Sequence, residues 1–327
     1  MKKKHSFKDV FLLGILLVLV IVILYSGLQI LESTVLLPSQ EPVAQQETKT
    51  IMRNGEAYFP RQDITVMMVL GIDQYGPVES SNYYRNKGSA DSVMLLVFDD
   101  TNEECTVLYL NRDTMLTMDV LGVRGEYAGT TYGQLALAHT YGTGLEDSCL
   151  NVKNTLMKYL HGMTIDYYVA MNMDAIPILN DAVGGVTVNV TDDFSKVNPS
   201  ITMGELTLSG DQVIDYVRTR KDVGDQKNVT RMERQKGYVK GFLNALMEKQ
   251  DDVEFALKLY EQVAPYIVTD CSSTTLSGML ERYVDFSIKE VVTPEGENVI
   301  GEEYYEFYPD EEKLDALVLR IFYTPKK

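Results

Sequence analysis

Residues 64–73 read ITVMMVLGID, with Thr65 the one polar side chain before the closing Asp73. Successive side chains of a strand point to opposite faces, so a strand this apolar has to be covered on both. Two further apolar runs come next, SVMLLVFD (92–99) and TVLYLNRDT (106–114), separated by the polar turn DTNEEC. So short a connection predicts an antiparallel hairpin. Beyond it the patterns alternate. TYGQLALAHTYG reads as a short helix broken by glycines, and LEDSCLNVKNTLMKYLHG has helical spacing through Leu150, Val152, Leu156 and Leu160. DYYVAMNM (166–173) reads as a strand, DAIPILNDAVGG as a short helix closed by Gly184 and Gly185, and GVTVNVTDDF as an alternating strand. Ser209 with Gln212 three residues on gives a capping-box start for the next helix. The C-terminal part reads as a loop, a strand and a closing amphipathic helix. Helices and strands alternate without a break in composition, which predicts one α/β domain over residues 63–327.

The hairpin carries a consequence for chemistry. With its turn centred near Asn102, Asp91 faces Asp113, and Arg112 stands next to it. If the first strand runs parallel to the third, Asp73 ends at the same rim. Acids at strand ends often only cap turns; in company they also make a metal site. A second cluster lies a hundred residues later, in RTRKDVGDQKNVTRMERQ (218–235), which has six basic residues against three acidic ones. Thr230 and Glu233 repeat the capping-box pattern and open a long helix that puts Arg231, Arg234, Gln235 and Tyr238 on one face. Arg218 and Arg220 end the helix before it. A solvated charged face is one reading of this cluster. The other is an anion site, since four arginines around a loop and a helix N-terminus can neutralise a diphosphate. Carboxylates and arginines together are what a metal–diphosphate site needs.

The formal charge of -17 excludes a broad nucleic-acid surface. Cys105, Cys149 and Cys271 lie far apart with no CxxC, which argues against zinc and favours free thiols. At the N-terminus, Val10 to Leu31 form 22 residues without a charge, a helix of about 33 Å against a hydrocarbon core of about 30 Å. Lys2, Lys3, Lys4 and Lys8 against Asp9 give the first nine residues +3, leaving -20 for the remainder. By the positive-inside rule residues 1–9 are cytoplasmic, 10–31 span the membrane, and the chain after Leu31 lies outside. The run is long and has no A-x-A after it, so an uncleaved anchor is expected rather than a signal peptide. Residues 32–62, mixed and mostly polar, read as a linker.

These motifs occur in an order that resembles the LytR-CpsA-Psr family. They are LGID at Asp73, ADS at Asp91, NRDT at 111–114, AHTYG at 138–142, IDYYV at 165–169, DAVGGVTVNV at 181–190, LSGDQVIDYVRTRKD at 208–222 and RMERQ at 231–235. The resemblance implies a single α/β/α sandwich with a central mixed sheet and an apolar tunnel for a polyprenyl chain. It also implies transfer of a polyprenyl-diphosphate-linked glycopolymer, teichoic acid or capsular polysaccharide, onto peptidoglycan outside the cytoplasmic membrane. Carried over by motif, Asp73 and Asp91 look like the holders of Mg²⁺ (or Mn²⁺), with Asp91 and Arg112 catalytic. Arg218, Arg220, Arg231 and Gln235 resemble the diphosphate-binding set, and Asp113 an orienting residue for Arg112. An aspartate is the expected base, with weaker claims for His139 and His161. The sequence departs from the family at Ser89 (often Arg), near Gln134 (often Lys) and at Asn228 (often Asp). Each change removes a charge, which leaves a second reading open: a non-catalytic, membrane-tethered polyprenyl-phosphate carrier.

Overall fold

The computed structural model describes residues 50–325 except 54, 84, 123–124, 220, 225–230, 232–233, 236, 239–240, 243, 246–252, 273–274, 276–277, 280–281, 284–285 and 302–303. The expected membrane span at 10–31 lies outside the described residues; among those described, no helix is long and apolar enough to cross a membrane.

In chain order the strands and helices begin with β1 (Ile51–Arg53), β2 (Glu56–Pro60), β3 (Ile64–Ile72), β4 (Ala90–Asp99), β5 (Glu104–Leu110), β6 (Met115–Leu121) and β7 (Tyr127–Gln134). A 3-10 segment, Leu135–Thr140, leads to α1 (Glu146–Tyr159), β8 (Tyr167–Asn172), α2 (Ala175–Ala182), β9 (Val186–Val190), β10 (Gly204–Leu208) and α3 (Gln212–Arg218). After a helical stretch within 231–245 come α4 (Val253–Val263), β11 (Ile267–Thr269), β12 (Ser287–Val292), β13 (Gly296–Ile300), β14 (Tyr305–Pro309), α5 (Glu311–Phe322) and β15 (Tyr323–Pro325).

The centre is a mixed six-stranded sheet in the order β11-β8-β3-β4-β5-β12. β3, β4 and β5 form an antiparallel meander, so β3 and β5 run parallel with β4 between them. β8 lies parallel to β3 and β12 parallel to β5. The continuous apolarity of β3 has the expected cause. Val66, Met68, Leu70 and Ile72 pack on one face with Val152 and Leu156 of α1 and Val318 and Ile321 of α5. Met67 and Val69 pack on the other with Leu96, Phe98, Val107 and Tyr283, where Phe98 and Tyr283 stack with centroids 4.2 Å apart. A third cluster joins α2, α3, the β9–β10 ribbon and Phe242. Helical segments thus cover both faces of the sheet.

Several details differ from the sequence reading. The hairpin pairs Val93 with Leu110 and Asp99 with Glu104, one residue off the expected register. Extending that register brings Arg112, not Asp113, opposite Asp91. The broken helix expected over 131–142 is confined to the 3-10 segment Leu135–Thr140; residues 131–134 instead end β7, paired with β6 over Met115–Leu121, where Gly and Thr dilute the alternation. Residues 51–60, read as linker, hold β1 and β2, with β2 also paired to β15. Strands this short show no period. The residue before α3 is Asp211 rather than Ser209, though Ser209 N–H does donate to Gln212 Oε1 at 3.1 Å. A β13–β14 hairpin replaces the expected loop and single strand. The three cysteines are free, two of them buried.

Candidate functional site

The rim forms where β3 ends and β4 begins. Gly71 pairs with Ser92 and Ile72 with Ala90, so Asp91 is the extra residue of a β-bulge, a device that re-aims a side chain. Gly71 eases the close approach here: a Cβ on it would lie 3.0 Å from Ser92 Cβ, tighter than ordinary contact. One residue past the bulge, Asp73 N–H donates to Ser89 O at 2.8 Å, and Ser89 Oγ donates to Asp91 Oδ1 at 2.9 Å. Asp73, Ser89 and Asp91 are therefore tied into one edge.

Each aspartate is met by an arginine. Arg112 follows β5 in a turn in which Asn111 Oδ1 accepts Asp113 N–H and Asn111 O accepts Thr114 N–H, both at 3.0 Å. Its guanidinium forms an ion pair with Asp91, while its buried Nε makes no hydrogen bond and reaches Asp113 Oδ1 only at 3.5 Å. Asp113 is held from behind by Gln134, whose Nε2 donates to Asp113 Oδ1 at 2.9 Å and to Tyr305 O at 2.8 Å. Arg218, the last residue of α3, donates from Nη2 to both Asp73 oxygens at 2.8 and 2.9 Å and from Nη1 to Tyr75 OH at 2.9 Å. The side chains are part-exposed, 42% for Arg218 and 32% for Arg112, so a ligand from solvent can reach them.

The RMERQ motif splits. Arg234 is 6% exposed, paired with Asp192 at 2.9 Å, hydrogen-bonded to Thr219 O and laid over the Phe194 ring. Gln235 Nε2 donates to Val217 O at 2.9 Å. Both side chains satisfy carbonyls at the C-terminal end of α3, which a helix leaves without partners, and so fix where Arg218 emerges. Arg234 thus belongs to the fold and not to an anion clamp, contrary to the reading of four arginines around one loop. Arg231 is half-buried on the same helical stretch. Arg220, Asn228, Thr230 and Glu233 lie outside the described residues.

The two histidines are engaged elsewhere. His139 is 1% exposed, and its Nδ1 donates to Gly88 O at 2.7 Å. Nε2 then carries the lone pair, 4.0 Å from Cys149 Sγ. Burial holds the imidazole down to about 4 and pushes the Cys149 thiol up, so the pair stays neutral and is no nucleophilic dyad. His161, in a left-handed turn after α1, pairs with Asp315 of α5. Arg85, four residues before Ser89, is bonded to Thr140 Oγ1 and sits 4.8 Å over the Tyr141 ring.

Among the described residues no group of three or more His, Cys, Asp or Glu could form an all-protein metal cage. Two carboxylates at an open rim do fit Mg²⁺, which takes one or two from a protein and the rest of its oxygens from water and substrate phosphates. Tyr75 was missed by sequence reasoning, and Ser89 was read only as the loss of a charge. Each stands two residues from a predicted aspartate, but nothing in a tyrosine or a serine announces the bond it makes.

A LytR_cpsA_psr family model matches residues 33–320. Among curated proteins, TagU of Bacillus subtilis is 25% identical over 196 residues, which span 60% of this chain and 56% of TagU. TagV of the same organism is 25% identical over 301 residues, 85% of this chain and 69% of TagV. The crystal structure of TagV superposes with a TM-score of 0.57 at 22% identity, covering 80% of this chain and 96% of that one. The crystal structure of gbs0355 from Streptococcus agalactiae gives 0.63 at 22% identity, with 79% and 86% covered. At these identities the structural matches establish the mixed α/β fold with its central mixed sheet.

Proposed function

The chain belongs to the LytR-CpsA-Psr family, and from that membership we propose that it moves a polyprenyl-diphosphate-linked glycopolymer, of teichoic acid or capsule type, onto peptidoglycan. The names of TagU and TagV support this: both are called polyisoprenyl-teichoic acid–peptidoglycan teichoic acid transferases. The observation that carries the reading is the meeting of two arginines and two aspartates at one sheet rim, Arg218 with Asp73 across 145 positions of chain and Arg112 with Asp91. The anchor at 10–31, an external catalytic part and the cytoplasmic membrane as its support belong to the same proposal.

Arg218, oriented by Asp73 and Tyr75, offers a planar fork to diphosphate oxygens. Arg220 and Arg231 complete the clamp. Gln235 acts one step removed, by holding Val217 O and with it the last turn of α3. Arg112 stabilises the charge that develops on the transferred phosphoryl group, and the lipid phosphate leaves. Asp113, braced by Gln134, keeps Arg112 in place. Asp73 and Asp91 would hold Mg²⁺ (or Mn²⁺), which supplies charge neutralisation of the diphosphate. An aspartate of the rim is the candidate to take the acceptor hydroxyl proton.

Radiolabelled lipid-linked polymer incubated with peptidoglycan fragments and Mg²⁺ tests the reading. Wild type transfers label, and Arg112→Ala loses transfer by roughly 10²–10³-fold, the usual effect of removing a transition-state donor. No transfer by wild type, or equal transfer by the variant, refutes it. Tight binding of the labelled lipid without turnover favours the carrier.

A further inference from the structure

Thr114, two residues past Arg112, forms a parallel bridge with Phe307 of β14, and Phe307 N–H donates to Asp113 O at 2.9 Å. Gln134 ties the same strand to Asp113 through Tyr305 O. The β13–β14 hairpin is thus stitched to the residue that braces Arg112. Phe307 points inward and is 5% exposed. Its neighbours Glu306 and Tyr308 point the other way by strand alternation, with Glu297 and Val299 opposite them on β13. Tyr308 is 39% exposed and Tyr304 44%; Tyr132 of β7 is 59% exposed. Glu306 accepts the Tyr308 hydroxyl at 2.7 Å, and Tyr132 stands on β7 two residues before Gln134, whose side chain reaches Tyr305 O at 2.8 Å.

Three exposed rings and two carboxylates therefore gather beside the rim. Flat tyrosine rings offer apolar area with a polar tip at small entropic cost. The carboxylates accept hydrogen bonds from hydroxyls and repel phosphate. A phosphate-rich polymer or an anionic lipid surface is a poor match. A polyhydroxylated, uncharged sugar chain is a good one, with its ring faces on the tyrosines and its hydroxyls on Glu297 and Glu306. We infer that Tyr132, Tyr304 and Tyr308 form a platform that binds the glycan strand of the acceptor and leads it to Arg112. The inference rests on the transferase reading and adds to it the place of the second substrate.

The test uses the full chain in detergent and two probes: peptidoglycan stripped of attached polymer, and soluble glycan strands freed of their peptide stems. The double variant Tyr132→Ala/Tyr308→Ala loses about tenfold in strand affinity, about threefold for each stacking contact. In the transfer assay its acceptor KM rises by the same factor, with kcat and donor affinity unchanged. Tyr308→Phe, which keeps the ring, binds strands within about threefold of wild type. Met52→Ser, on the separate β1–β2–β15 sheet and 59% exposed, changes nothing. Should the double variant not fold, Tyr132→Ala is read in its place. Unchanged strand affinity in the tyrosine variants overturns the platform, as does a loss of donor rather than acceptor affinity. Strand binding needs no turnover, so the two readings fail separately. Strand affinity lost with the tyrosines while Arg112→Ala transfers normally refutes the transferase and leaves the platform. The reverse pattern refutes the platform and leaves the transferase.

Discussion

His139 is buried against the segment that leads into the rim, with Nδ1 on Gly88 O, and keeping its imidazole neutral makes the stability of the fold depend on pH. The unfolded chain protonates this imidazole near its ordinary 6.5, whereas in the fold burial delays protonation to about 4, against smaller opposing pulls from the Gly88 carbonyl and the Asp147 carboxylate. Between those values the unfolded state binds more protons, so stability rises with pH. The contribution is complete above the unfolded pKa and is lost as pH falls towards the folded one. At 1.36 kcal/mol per pKa unit the gap amounts to about 3 kcal/mol. Other groups titrate near this window. Asp166 and Asp270, raised by burial, act in the opposite sense, since the fold takes up their protons first. Asp63, held down by Arg61, loses its contribution only at lower pH, below the ordinary carboxylate range. The difference between wild type and His139→Asn isolates the imidazole. The Asn amide keeps a donor for Gly88 O but does not titrate. Urea unfolding followed by circular dichroism between about pH 7 and pH 4.5 should show wild type losing 2–3 kcal/mol more than the variant. Parallel stability curves for the two proteins would refute the assignment of a neutral, buried imidazole.

Arg234→Met should destabilise the fold by about 3–5 kcal/mol, because it leaves Asp192 charged and largely buried without its partner; a thermal melt checks this. Asp192→Asn combined with Arg234→Met should recover part of the loss, and a harmless single variant would return Arg234 to the list of solvent-facing arginines. Gln134→Glu places a carboxylate against Asp113 and the Tyr305 carbonyl. In the transfer assay it should lower kcat by about tenfold, one unit of ΔΔG‡ near 1.4 kcal/mol, while leaving donor affinity intact.

Period and punctuation made most of the core legible. β3, β4, β5 and α1 each run long enough for their apolar pattern to be unambiguous, and Gly184 and Gly185 mark the end of α2 by needing a positive φ. The hairpin register slipped by one because the turn residues were assigned from polarity, and polarity does not fix which two residues close a turn. A slip of one exchanges faces, and here it decided whether Asp91 meets Asp113 or Arg112. The β6–β7 pair, and the second strand that makes β13–β14 a hairpin, went unread for a different reason. They expose aromatic residues such as Tyr132 and Tyr308, and an exposed aromatic breaks the rule that links apolarity to the inside. For Arg234 the sequence supplies a charge on a helix face. Its burial depends on Asp192 and Thr219, 42 and 15 positions away, and no local pattern encodes such partners.

The same pairs account for a basic cluster in so acidic a chain. Arg112 and Arg218 do not wait at the rim as uncompensated charges; each rests on an aspartate that holds its fork in place. Part-exposed pairs of this kind are worth about 0–1 kcal/mol. Exchanging a carboxylate for a phosphate oxygen therefore costs the protein little, and the arginine is already oriented when the exchange occurs. A buried pair such as Arg234–Asp192 could not make that exchange, because removing one partner strands the other. Within a single short segment, exposure thus separates the arginine that can meet a ligand, Arg218, from the one that holds the helix presenting it, Arg234. Under the proposed function, the aspartates freed by the exchange are the two that would hold the cation. Two arginines and two aspartates would then balance a diphosphate and a divalent cation as they now balance each other.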